Sequence, residues 1–126
     1  MTHGRVVLFA FVVGVFMFSG PAFAHHGRVE YENKSVTLQA RVTRFDWNNP
    51  HVVISFTVKD ENGVDQGWHA EVLPPSLMEQ AGWAADSIKP GDQVTVIGRP
   101  GKKGEHIMWL EYLVTPGGQK LGRGPS

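Results

Sequence analysis

The sequence predicts an all-β domain with minor α content, a five-stranded OB-fold-like β-barrel carrying one short helix between strands 3 and 4. Three observations carry this. Apolar and polar residues alternate in successive short stretches from Val36 onward, the period of half-buried strands. Turn-forming clusters separate those stretches: Asn48-Asn49-Pro50, Asn62-Gly63 and Lys89-Pro90-Gly91-Asp92. One proline-led helical stretch, stopped by Gly82, falls between the third and fourth strands. Three strands, a helix and two further strands, with a long bent first strand, is the order of an OB barrel. Closing a sheet also removes its edges, which suits a small domain without disulfides. An open five-stranded sheet or a small sandwich is the alternative.

The first element is not part of this domain. Residues 1–24 have the three-part layout of a secretory signal peptide: a positive start ending at Arg5, an apolar core from Val6 to Phe18, and Ser19-Gly20-Pro21 before Ala22-Phe23-Ala24. The apolar core is short for a membrane span; an uncleaved anchor is the alternative. Cleavage after Ala24 makes His25 the first residue of a periplasmic or secreted protein, with no membrane attachment. Residues 25–34 then form a polar N-terminal arm.

The barrel is assigned to residues 35–115. In strand 1, Val36, Leu38, Ala40 and Val42 share one face; at Phe45 and Trp47 the large residues change parity, which predicts a bulge or sharp bend. Asn48-Asn49-Pro50 ends it. In strand 2, Val52, Ile54, Phe56 and Val58 face inward and His51, Val53, Ser55 and Thr57 outward. Asn62-Gly63 turns the chain into strand 3, about 66–72, with Trp68, Ala70 and Val72 inward; folding about that turn sets His69 near Ser55. Pro74-Pro75-Ser76 starts a helix over 77–81, with Ser76 read as its cap and Trp83 as the packing residue of the excursion. Strand 4 covers 93–98 with Val94 and Val96 inward. After the loop Pro100–Gly104, strand 5 runs over about 106–115, where parity leaves the side of Trp109 undecided. Residues 116–126, rich in Gly, Lys and Pro, read as a flexible C-terminal tail.

Composition narrows the function classes. The chain has 12 basic and 12 acidic residues, and without Arg5 the mature side chains are one short of neutrality. No basic footprint for nucleic acid is present; Arg41, Arg44, Lys102 and Lys103 are few and offset by acids. There are no cysteines, so thiolate metal sites and cysteine nucleophiles are excluded. The mature chain of roughly 100 residues is one small domain held by its core alone.

The segments His25-His26, Trp47-Asn48-Asn49-Pro50-His51, Gly82-Trp83, Lys89-Pro90-Gly91-Asp92 with Val94 and Val96, and Gly117-Gly118-Gln119-Lys120-Leu121 together resemble domain-of-unknown-function family 6152. The resemblance spans nearly the whole mature chain. It implies a small exported bacterial β-barrel and brings no established activity or catalytic residues.

The chemistry-bearing residues are histidines and tryptophans. An N-terminal histidine offers its amine and Nδ1 to one metal ion, and a second imidazole completes a three-nitrogen site suited to Cu(II). His51, fixed beside Pro50, is the first choice for that imidazole; His69 is the second, and His26 either adjusts the site or competes through an amine–amide–imidazole arrangement. The expected cofactor is copper, if any. The bland reading, incidental or no metal binding by exposed histidines, stays open. The other open reading is a ligand- or protein-binding module built on Trp47, Asn48 and Asn49, with no metal and a small ligand or envelope protein as partner. Catalysis has no support: Glu30, Glu32, Asp46 and Glu71 are not fixed near one bond, and no phosphate-binding glycine loop precedes a helix.

Overall fold

The computed structural model describes residues 28–123. The long strand β1 (Val36–Asp46) sets the layout, because it is shared by two partners. Its first half pairs antiparallel with β4 (Gln93–Pro100), from Val36↔Gly98 to Arg41↔Gln93. Its second half pairs antiparallel with β2 (Val53–Lys59), from Arg41↔Thr57 to Asp46↔Val53. Between Val42 and Arg44 the register slips, leaving Thr43 without an opposite residue. This bulge is the parity switch read at Phe45 and Trp47: one extra residue returns both rings to the core side, where they pack against the buried cluster.

Strand β3 (Asp65–Glu71) follows β2 through the Asn62-Gly63 hairpin, in which Gly63 takes φ +75°. The Asp60 carboxylate ties the turn together. It accepts hydrogen bonds from the backbone N–H of Asn62 at 2.8 Å and Val64 at 2.9 Å, and from Gln66 Nε2 at 3.0 Å. The resulting register pairs Ser55 with His69, as the hairpin predicts. Helix α1 (Pro75–Gln80) buries Met78, and Gly82 stops it with φ +92°. Ser76 does not cap this helix. The N-cap is Pro74, whose carbonyl accepts from Leu77 and Met78, and no side chain caps the start.

Strand β5 (Met108–Val114) pairs with β4, and a short β6 (Lys120–Gly122) pairs with β5. The strands form one antiparallel sheet in the order β3-β2-β1-β4-β5-β6. Two expectations need correction here. Among the described residues six strands are present, not five, and residues 120–122 of the expected flexible tail are a strand whose Leu121 is only 2% exposed. The turn before it is closed by Thr115 N–H to Gln119 O at 2.9 Å, and Trp83 Nε1–H donates to Gly122 O at 2.6 Å.

The sheet is also not closed by a ladder. The free side of β5 is divided: its end takes β6, while just before its start Ile107 makes a single parallel bridge to His69 of β3. There His69 N–H donates to His106 O at 3.1 Å. β6 pairs with Tyr112–Val114, and β3 meets this side of β5 through that one bridge and not a continuous ladder.

The core lies within the curved sheet and is plugged from the helix side. Val42, Ile54, Phe56, Ala70, Val96, Leu110 and Leu113 converge on Met78, Trp83 and Ile88. At about 25 cal/mol per Å² of apolar surface removed from water, this burial is the main favourable term in a domain without cross-links. The arm joins the same body: Tyr31 bridges Gly101, and Lys102 N–H donates to Glu30 O at 2.8 Å.

Candidate functional site

His51 stands at the exit of the Asn48–Pro50 turn, directly before β2, and its neighbours hold it in place. Val52 is fully buried, its N–H donates to Leu73 O at 2.9 Å and its carbonyl accepts from Val72 N–H at 2.9 Å. The backbone at residue 51 is therefore fixed, and alternation sends its side chain to the outer face, where it is 44% exposed. On the adjacent strand Glu71 pairs with Val53 and shares that outer face. His51 Nδ1 lies 2.6 Å from Glu71 Oε1. A carboxylate at this separation favours the tautomer with the proton on Nδ1, which leaves Nε2 with a free lone pair.

His69 lies two residues before Glu71 on β3, opposite Ser55. His106 follows the β4–β5 loop, and its ring lies flat against Trp68 at 4.7 Å between centroids and 9° between planes. His51 and His69 thus share the outer face of β2 and β3 with Glu71, while the His106 ring lies against Trp68, which alternation places on the opposite face of β3. No three His, Asp or Glu side chains converge on one point among the described residues. His25 and His26, like the expected signal peptide, lie outside the described residues. The arm reaches the body at the loop before His106, where Glu30 meets Lys102 and Tyr31 meets Gly101.

The Trp47–Pro50 turn is divided in character. Asn48, Asn49 and Pro50 are exposed, and the Asn49–Pro50 peptide is cis. Trp47 is half-buried, edge-on to Phe45 at 5.7 Å and packed on the core, so its ring offers less open surface than its place beside two asparagines predicts. The exposed tryptophan among the described residues is Trp109, at 36%. Sequence reasoning left its side undecided because a second bulge, between Ile97 and Gly98 of β4, sets Glu111 out of register. Met108, Leu110 and Leu113 point inward, and Trp109 stays outside.

Sequence reasoning also missed Glu71 as the partner of His51. The signal was available: the Asn62-Gly63 hairpin fixes Val53 opposite Glu71, which places Glu71 diagonal to His51 on one face, within reach of two long side chains.

Comparison with known proteins gives one family. The profile described as a family of unknown function, DUF6152, matches residues 13–108. No curated protein matches the chain.

Proposed function

The chain belongs to the DUF6152 family of unknown function, and from that premise we propose that it is an exported, non-enzymatic binding module that holds a copper ion through His25 and His51. In this reading the α-amine and Nδ1 of a processed His25 supply two nitrogens, and Nε2 of His51 supplies the third. His26 and His69 adjust the site. The observation that supports it is the 2.6 Å contact between His51 Nδ1 and Glu71 Oε1. It occupies one imidazole nitrogen, orients the ring, and leaves Nε2 as the nitrogen available to a metal ion, imidazole being a donor suited to Cu(II).

The fold proposed for this module is a partly open OB-like barrel, with β1 shared between its halves. The parallel bridge between His69 and Ile107 supports it, because it joins β3 to the start of β5 at the place where a barrel would close. A different reading, a small-ligand or envelope-protein site at Trp47, Asn48 and Asn49, has the three exposed residues 48–50 in its favour.

A Cu(II) titration of the protein processed to begin at His25 separates these. The metal reading predicts one tight equivalent, lost when extra residues precede His25 and kept in Trp47→Ala. Weak binding that is indifferent to the N-terminus rejects it and returns attention to the turn.

A further inference from the structure

On the outer face of β4, β5 and β6, positive charge and aromatic surface are gathered around Trp109. Arg99 is its cross-strand partner on β4, with the guanidinium carbon 5.5 Å from the ring centroid. The Arg123 guanidinium, just past β6, lies over the same ring at 3.7 Å, and the Arg123 backbone N–H donates to the Glu111 backbone carbonyl at 3.0 Å. Tyr31 from the arm meets Trp109 edge-on at 5.6 Å. Next along the face, Lys120 Nζ lies 3.9 Å over the Tyr112 ring. Cation–aromatic contact holds long basic side chains in place without neutralising them.

Neutralisation here is incomplete. Glu111 is the carboxylate within this group, and its Oε1 accepts a 2.6 Å hydrogen bond from Ser35 Oγ and stands 4.0 Å from Arg99 Nε. Of the three basic groups, Arg99 is the one that has a carboxylate within 4.0 Å among the described residues. Arg123 Nη1 is shielded from solvent and has no acceptor among the described residues. Burial lowers the Arg123 pKa from its ordinary value; Tyr31 opposes this and Arg99 adds to it. Two like charges share one indole platform, one of them short of an acceptor, on a chain that is otherwise close to neutral.

We propose that Arg99 and Arg123, held on Trp109, form a binding site for an oxyanion group, carboxylate or phosphate, of a small ligand. Guanidinium forks are shaped for two oxygens of such a group. An oxyanion seated beside both relieves their mutual repulsion. The indole holds both guanidiniums on the outer face, and Tyr31 packs edge-on against that indole. This site is independent of the metal reading and shares no residue with it.

The test is a titration of the full processed protein with inorganic phosphate and, separately, acetate, at ionic strength held constant with sodium chloride. The readout is the indole N–H signal of Trp109 in a proton–nitrogen correlation spectrum, assigned with Trp109→Phe. The expected result is a saturable shift with at least one anion, with affinity about tenfold weaker in Arg99→Gln, the loss of one charge-assisted hydrogen bond. Arg99→Lys, which keeps the charge and removes the fork, is expected to weaken binding too, and it serves if Arg99→Gln fails to fold. Lys59→Gln, on β2, leaves the curve unchanged. Shifts that never saturate, or that are the same in Arg99→Gln, overturn the proposal. A saturable response to phosphate alone assigns a phosphate-bearing ligand, and one to acetate alone a carboxylate-bearing ligand.

Discussion

Replacing Leu121 by alanine tests whether the last strand is part of the folded domain. Leu121 is 2% exposed, lies opposite Leu113 and belongs to the core cluster. Truncating a buried leucine costs about 2–5 kcal/mol, according to how far the cavity collapses. Here the lower half of that range applies. β6 has three residues and lies at the sheet edge, so it can shift inward or detach. Detachment caps the loss at the docking energy of β6, to which the 2.6 Å bond from Trp83 Nε1 to Gly122 O contributes on the order of 1 kcal/mol. The expected destabilisation is about 2–3 kcal/mol, a fall in melting temperature of roughly 8–24 °C for a domain of this size. Urea denaturation measures it, and hydrogen exchange at the Arg123 amide, which donates to Glu111 O, reports on β6 itself. A change below about 0.5 kcal/mol, with that amide unprotected in the wild type, refutes the docking of β6.

Three further outcomes follow from the same contacts. Trp83→Phe keeps most of the buried ring and removes its hydrogen bond to Gly122 O, so a loss of about 1 kcal/mol is expected in the same urea assay. Gly98→Ala places a Cβ 2.2 Å from Trp109 O and 2.6 Å from Met108 Sδ; the backbone oxygen cannot yield cheaply, and destabilisation of about 3 kcal/mol or more is expected, where a neutral effect would contradict the register at the β4 bulge. The Asp60 carboxyl is held below its ordinary pKa of 3.8, first by the Val64 N–H, then by the Gln66 side chain against a smaller opposing effect of burial, and also by the Asn62 N–H. A depressed folded-state pKa gives a contribution fully present above the unfolded value and lost as pH falls through the folded one, so Asp60→Asn should flatten the decline in urea midpoint as pH falls below 3.8, and an unchanged decline would remove Asp60 as its source.

The parts of this fold that could be read from the sequence are those in which period and turn chemistry agree. β2 and β3 flank an Asn-Gly turn with uninterrupted alternation, so their faces and the Ser55–His69 pairing follow directly. β1 announces its bulge because two aromatic residues change parity at once. The same device is silent in β5, where the displaced residue is Glu111 and a glutamate marks no face, so Trp109 could not be placed. β6 was hidden by its setting: Gly117, Gly118 and Pro116 read as loose chain, and the one inward residue of a three-residue strand carries no period. Closure of the sheet was over-read, since nothing in the order of strands says that a sixth will take the free side of β5. For the histidines, the sequence places His51 and His69 on one face, and the hairpin register that pairs Ser55 with His69 also puts Glu71 within reach of His51.

In the proposed copper site, a processed His25 and the Nε2 of His51 hold one ion. The most direct measurement is electron paramagnetic resonance of the processed protein with one equivalent of Cu(II), beside His51→Ala. The claim predicts a single species with three-nitrogen coupling in the wild type, reduced to two nitrogens and weaker binding in His51→Ala, with both proteins folded. An identical spectrum in the two proteins, or a mixture of species in the wild type, contradicts it.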